Sequence, residues 1–226
     1  DQVIVQTVKQ QKMLQTGFGI VAEMVKMPCV GFNSSNLTAS LPFSSKPCRV
    51  LWIGRMSKEK RLEWLLELAS RLPKLAFDVI GSANTGSLYA NTLLKKASSL
   101  PNVSLHGRLA HSQLADFYKH ASILCNTSLY EGFPNTFLEA WSVGMPVVSS
   151  VDPDNLIATL GLGGVATTVD ELEKKINALL SNESEWLTTS KAAYQYFVKN
   201  HSYDIALPLF EKHFLKLANN QSEANV

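Results

Sequence analysis

From Cys48 onward, short apolar runs alternate along the chain with stretches in which apolar residues recur every three or four positions. The runs "RVLWIG" (49–54), "LAFDVIG" (75–81) and "NVSLHG" (102–107) have strand length, and each is closed by a glycine. "SILCN" (122–126) and "PVVSS" (146–150) read as two more strands. Between them, "EKRLEWLLELASRL" (59–72) sets Leu62, Leu65, Leu66 and Ala69 on one face at helical spacing. "SLYANTLLKKASSL" (87–100), "SQLADFYKHA" (112–121) and "NTFLEAWSV" (135–143) follow as helices, the last stopped by Gly144. Strands that are apolar almost throughout are buried on both faces, and strands alternating with helices build crossover units. The pattern predicts an α/β domain: a Rossmann-like parallel sheet with helices on both faces. Such a sheet binds its ligand beyond the carboxyl ends of its strands. Arg55, Gly81, the pair His106 and Gly107, and the stretch 127–131 lie at strand ends, so these exits are expected to open on one rim.

The flanks have a different texture. Residues 1–26 read strand–helix–strand, and 27–47, rich in Ser, Asn, Pro and Gly, read as a linker. The sheet domain is expected over 48–168 and a helical tail over 169–226. The opening "DQVIVQTVKQ" starts on an apparent strand without a methionine, which is the pattern expected of a piece of a longer protein.

Composition narrows this picture mainly by exclusion. A chain of 226 residues with 46% hydrophobic and 18% charged content can bury a sizeable core and is not of the disordered class. A formal net charge of +2, with no basic stripe beyond the local cluster Lys58, Lys60 and Arg61, argues against nucleic acid as a partner. No apolar run approaches the roughly 20 residues that cross a bilayer, so no transmembrane segment is expected. Cys29, Cys48 and Cys125 show no C-x-x-C spacing, and Cys125 lies in an apolar run as a buried thiol would. A reducing, cytoplasmic location follows, at most peripheral to the inner membrane face.

Candidate chemistry concentrates in "SLYEGFPNTFLEAW" (128–141), where Glu131 and Glu139 stand with seven residues between them. Glu131 follows a strand, Gly132 permits a turn, and Pro134 sits where a helix begins. Free amides near Asn135 would favour a phosphate. Phe133, Phe137 and Trp141 repeat at i, i+4, i+8 as the buried stripe, leaving Glu139 on the helix flank. Two carboxylates beside a helix N-terminus can accept hydrogen bonds from sugar hydroxyls while amides hold a phosphate; the plainer alternative is a turn cap and a solvated helix residue. In "GRMSKEK" (54–60), Arg55 ends the first strand and Lys60 opens the first helix. A guanidinium and an ammonium on one exit loop can grip a diphosphate, or form a solvated basic turn. The histidines at 106, 111, 120, 201 and 213 lack ligand spacing, so no metal is expected.

Taken together, "VLWIGRMSKEKRLEWLLELASRLP" and "NTSLYEGFPNTFLEAWSVGMPVVSS" resemble the nucleotide-sugar-binding, C-terminal half of a retaining glycosyltransferase of GT-B fold, in the group-1 family. The likeness rests on Glu131, Gly132, Phe133, Glu139, Ala140, Gly144, Pro146 and Val147 with the Arg55/Lys60 pair, and it covers about 48–150. The resemblance implies transfer of a glycosyl group from a nucleotide-diphosphate sugar to a glycan or lipid-linked acceptor, with retention and with no cofactor. It implies that Arg55 and Lys60 bind the diphosphate and assist its departure, and that Glu131 holds hydroxyls of the donor sugar. Glu139 would hold the ribose hydroxyls, and Gly54 and Ser128 would border the donor. The stretch Gly132, Phe133, Pro134 and Asn135 would cradle sugar and distal phosphate through its free amides, and His106, Gly107, Arg108 and Leu109 would frame the base. Residues 1–26 resemble the end of a missing N-terminal acceptor domain, and 203–218 the helix that crosses back to it.

The chain also departs from the family. After "PVV" it reads "SSVDPDNLIATLGLGGVATTVDELEKK" in place of a Gly-Gly pair and a glutamate, closer to a branch seen among bacterial surface-polysaccharide glycosyltransferases. "GLGG" (161–164) is not in a first strand-to-helix turn, and "DPD" (152–154) reads as a turn and helix cap around Asn155. Two other readings stay open: a non-catalytic donor-binding module needing a partner chain for the acceptor half, and a sugar-nucleotide epimerase.

Overall fold

The structure, a computed structural model, describes residues 2–32, 47–83 and 86–223. Its N-terminal segment is the expected strand–helix–strand: β1 (Ile4–Val5), α1 (Val8–Phe18) and β2 (Glu23–Met24), with the two strands paired in parallel. Thr7 caps α1 by accepting from the Gln10 amide at 3.1 Å, while the Gln10 side chain returns to the amides of Gln6 and Thr7.

The main sheet contains β3 (Arg49–Ile53), β4 (Ala76–Ile80), β5 (Val103–Gly107), β6 (Ile123–Asn126), β7 (Val147–Ser149) and β8 (Gly163–Val165). All six are parallel, in the order β5-β4-β3-β6-β7-β8. The order reverses between β3 and β6. Their following connections run to opposite sides and leave a crevice at that edge. β8 was not foreseen: "GGV" is too short and too glycine-rich to read as a strand. It forms because Gly163 adopts φ 152° with its Cα pressed against the Val147 carbonyl, where any Cβ would collide.

Side chains alternate across the sheet, and a helical layer covers each face. On one face Val50, Trp52 and Val79 meet Leu62, Leu65 and Leu66 of α2 (Leu62–Arg71), with α3 (Leu88–Ser98) beside them. On the other, Leu51, Leu124 and Val147 meet α4 (His111–His120) and α5 (Asn135–Ser142). After the short α6 (Leu156–Leu160), the tail is helical as expected: α7 (Val169–Ser181), α8 (Glu183–Asn200) and α9 (Tyr203–Glu223). The tail is not separate from the sheet. Leu172 and Ile176 of α7 join the first core, and Ala193 and Phe197 of α8 join the second.

Two local expectations change. Lys60 does not open α2: residues Lys58–Lys60 form a 3-10 turn, Arg61 takes a left-handed conformation at φ 46°, and the helix begins at Leu62. Of the expected linker, 33–46 lie outside the described residues, and 27–32 are packed. The Cys29 amide donates to the His201 carbonyl at 2.9 Å, and the Phe32 amide to Ser142 Oγ at 3.0 Å.

Candidate active site

The crevice between β3 and β6 is closed below by a side-chain lattice. Trp52, on β3, donates its indole N–H to Thr127 Oγ1 at 3.0 Å, and that hydroxyl donates to the Lys60 carbonyl at 2.7 Å. The Arg61 guanidinium donates to the carbonyls of Thr127 (2.7 Å) and Ser128 (2.9 Å) while lying 3.7 Å over the Trp64 ring. The Leu129 amide closes on the Glu59 carbonyl at 2.7 Å. The loops leaving the two strands are thereby fixed to each other, and that fixes the next pair: the Lys60 ammonium sits on Glu131 Oε1.

Glu131 is held from one side only. Ser128 Oγ donates to the same Oε1 at 2.6 Å and Asn126 Nδ2 reaches it at 3.4 Å. Asn126 is itself oriented, accepting from the Ser128 amide at 3.0 Å and Ser149 Oγ at 3.4 Å. Among the described residues every donor to Glu131 converges on Oε1, and Oε2 accepts from none. Beside it, Pro134 precedes α5 with no side chain capping the helix, which leaves the first amides of α5 for an anion. Gly132 is exposed, and the Gln10 amide nitrogen from α1 stands so close that a Cβ on Gly132 would lie 2.7 Å from it.

Glu139 lies one turn further along α5. It is not a solvated helix residue: Tyr118 donates its hydroxyl to Oε2 at 2.6 Å, and His111 Nε2 stands 3.2 Å from Oε1. The loop before α4 brings Gly107, Arg108 and Leu109 to the same rim, with Leu109 packed against the α4–α5 layer. Gly54 leaves β3 beside Gly81, whose φ of 143° and lack of a Cβ allow the Gly54 carbonyl to press against it.

Two expected site residues stand apart. Arg55 is on the β3 exit loop, but its side chain is 73% exposed and, among the described residues, its one ion pair is with Glu59, at 3.8 Å. His106 is drawn away from the rim, because Asp78, 2% exposed within β4, needs partners. Asp78 accepts two bonds from Arg49 (2.7 Å each) and pairs with His106 Nε2 at 2.7 Å, while Phe117 lies edge-on to the imidazole. These hydrogen bonds raise the Arg49 pKa above its ordinary value, against the opposing effect of burial. Asp78→Ala should cost about 2 kcal/mol, discounted because Arg49 is partly solvated. Urea denaturation reads that loss, and nucleotide affinity should stay unchanged because the cluster is not on the crevice.

Sequence reasoning missed Arg61, Asn126, Tyr118 and His111. Asn126 carried a signal, as a polar residue ending an apolar strand; the others act through contacts more than 20 positions away in sequence. The "DPD" turn is a cap as expected, with Asp152 accepting from Ile157 N (2.8 Å) and Ala158 N (3.1 Å). Asp154, at φ 51°, has a second duty: it accepts from the amides of Val8 (2.8 Å) and Lys9 (3.3 Å) and fastens α1 to the sheet domain. Among the described residues no three His, Cys, Asp or Glu side chains cluster as a metal site, and no helix is long and apolar enough to cross a membrane.

Residues 47–182 match the family model described as "Glycosyl transferases group 1". The GtfA subunit of a UDP-N-acetylglucosamine–peptide N-acetylglucosaminyltransferase from Streptococcus pneumoniae is 28% identical over 153 residues, 66% of this chain and 30% of its own length. Mannosylfructose-phosphate synthase from Agrobacterium fabrum is 25% identical over 195 residues, 77% of this chain and 43% of its own. Among solved structures, Anabaena Alr3699/HepE in complex with UDP-glucose superposes with a TM-score of 0.78 at 18% identity, covering 96% of this chain and 64% of that one. The pneumococcal O-GlcNAc transferase GtfA with UDP and GlcNAc gives 0.66 at 22% identity, covering 92% and 44%. The chain spans about a third of the length of the GtfA relatives it matches.

Proposed function

The chain belongs to the group 1 glycosyl transferases, and from that premise we propose that it is the donor-binding half of an enzyme that transfers a glycosyl group from a nucleotide-diphosphate sugar to a glycan or lipid-linked acceptor, with retention. The observation that carries the reading is the Lys60–Glu131 pair at the sheet's switch point, with one oxygen of Glu131 saturated and the other open. An ammonium there meets the diphosphate, and Glu131 Oε2 accepts from hydroxyls of the sugar. The uncapped amides of α5 take the distal phosphate, and Arg55 supplies a second, mobile-length cation from the rim. Glu139 accepts from the ribose, with Gly107, Arg108 and Leu109 bordering the base. Charge developing on the departing diphosphate is met by fixed cations and amide dipoles, which act without reorganising at the moment of reaction. In this reading residues 2–26 end the acceptor domain, residues 27–47 connect it to the sheet domain, and α9 returns toward the acceptor domain.

Calorimetric titration with UDP, GDP, ADP and their sugars tests the proposal. One nucleotide series should bind with a dissociation constant in the range of about 1 μM to 1 mM where substrate affinities fall. Since solved relatives hold UDP or UDP-glucose, the uridine series is tried first. Silence toward all three series at millimolar concentration would remove the reading.

A second reading has the acceptor half on a separate polypeptide. It is favoured by exposed apolar side chains at Phe18, Val21 and Met24 beside the two-stranded sheet, and at Ile205 and Leu209 of α9. A solved relative is a GtfA/B complex, at 17% identity and TM-score 0.69. Mass photometry after co-expression with the neighbouring open reading frames separates the two arrangements.

A further inference from the structure

The two oxygens of Glu139 are held by unlike partners. Tyr118, which donates to Oε2, is 1% exposed in the third turn of α4, and its ring stacks on Phe32 at 4.8 Å. Phe32 is itself fixed by its amide on Ser142 Oγ. His111, opposite Oε1, is the first residue of α4, with a side chain 60% exposed at the rim. A hydrogen bond from a buried, stacked phenol has one geometry. The His111 imidazole also stacks on Phe32, at 4.9 Å, but its 3.2 Å contact lies at the exposed rim, where another donor can compete for Oε1.

We infer that Tyr118 is a positioning residue for Glu139: by tying Oε2 it turns Oε1 toward the rim, where His111 holds it until a ribose diol of bound nucleotide takes its place. This rests on the reading that Glu139 receives the ribose. Burial, and then the adjacent Glu139 charge, push the Tyr118 phenol well above its ordinary pKa, which favours the protonated hydroxyl that donates to the carboxylate. A tyrosine serving only to brace α4 against α5 would have the same burial. The two roles differ in which ligand atoms feel its loss.

Tyr118→Phe keeps the ring and its stacking on Phe32 and removes the hydroxyl alone. Dissociation constants for UDP and 2′,3′-dideoxy-UDP, or the corresponding pair for whichever nucleoside diphosphate binds, are measured on the wild-type chain, Tyr118→Phe and Glu139→Gln. The wild type should prefer the diol by about tenfold or more, the size of one well-placed charged hydrogen bond. Tyr118→Phe should lower that preference to about the level of Glu139→Gln, while its affinity for the dideoxy nucleotide changes by less than about twofold. A variant that keeps the wild-type preference, or that loses both nucleotides in proportion, makes Tyr118 a structural brace and overturns the inference. A wild type that does not distinguish the two nucleotides removes the ribose reading of Glu139, and the inference with it. If Tyr118→Phe does not fold, His111→Ala decides: it frees Oε1 and should tighten UDP by about two- to threefold with the dideoxy compound unchanged. No selective gain would overturn the inference.

Discussion

Lys60→Ala is expected to lower sugar transfer by the complete enzyme by about 10²- to 10³-fold, the loss typical of removing one preorganised group aimed at developing charge. Nucleotide affinity should fall less, by about tenfold, because the ammonium matters more to the departing diphosphate than to the bound donor. The melting temperature should hardly move: Glu131 keeps Ser128 and Asn126 on Oε1 after the lysine is gone. Steady-state transfer rates, a nucleotide titration and a thermal melt on the same preparation separate these terms. Arg55→Ala should cost only a few-fold, since its guanidinium is exposed and its ion-pair partner among the described residues, Glu59, stands at 3.8 Å. If the Arg55 variant loses more than the Lys60 variant, the leading cation has been misassigned. If the Lys60 variant melts early in proportion to its lost rate, the pair is structural.

The parts of this fold that were legible in the sequence are those whose signal is local and repeated. The five strands ending at Ile53, Ile80, Gly107, Asn126 and Ser149 are apolar runs with sharp stops, and α2 shows its buried face in the spacing of its leucines. β8 was not legible, because two glycines and a valine become a strand only when Val147 is already there to pair with. The site divides in the same way. Glu131 and Lys60 could be placed on the rim from strand exits alone, and the structure joins them. His106 occupies an equally good position by that rule, yet its ring turns under α4. What decides it is a buried carboxylate on the neighbouring strand, and no spacing announces that Asp78 will be 2% exposed. Burial of one charge recruits its neighbours, and the recruitment is a tertiary fact.

The N-terminal segment shows the same division. Its strand–helix–strand pattern was readable, but its attachment was not. Asp154 and Asn155 adopt left-handed conformations in succession, at φ 51° and 59°. Such conformations are disfavoured for residues other than glycine, and least so for Asp and Asn. The turn is offset by the two α1 amides that Asp154 satisfies. The same docking brings Gln10 against Gly132 on the loop that follows β6. A segment far away in sequence thus lies against the loop that carries Glu131.

Trp141→Ala should be the most damaging substitution for stability, at about 3–5 kcal/mol, which for a chain of this size lowers the melting temperature by roughly 10 °C. The indole is fully buried between α5 and α8, with ring centroids 5.7 Å from Phe137 and 5.3 Å from Tyr196. Alanine leaves a cavity that these rings cannot fill without moving α5. Because α5 carries Glu139 and the uncapped amides at Asn135, nucleotide affinity should fall together with stability, unlike the Lys60 case. The loss is one of volume and not of polarity: the Trp141 indole N–H has no hydrogen-bond partner among the described residues. Trp141→Phe removes that unsatisfied donor while keeping most of the ring, so it should cost about 1 kcal/mol or less. Thermal melts and urea midpoints of the two variants check the contrast. A phenylalanine as costly as alanine would mean that the indole N–H is engaged after all, and that α5 is held by a hydrogen bond in place of packing.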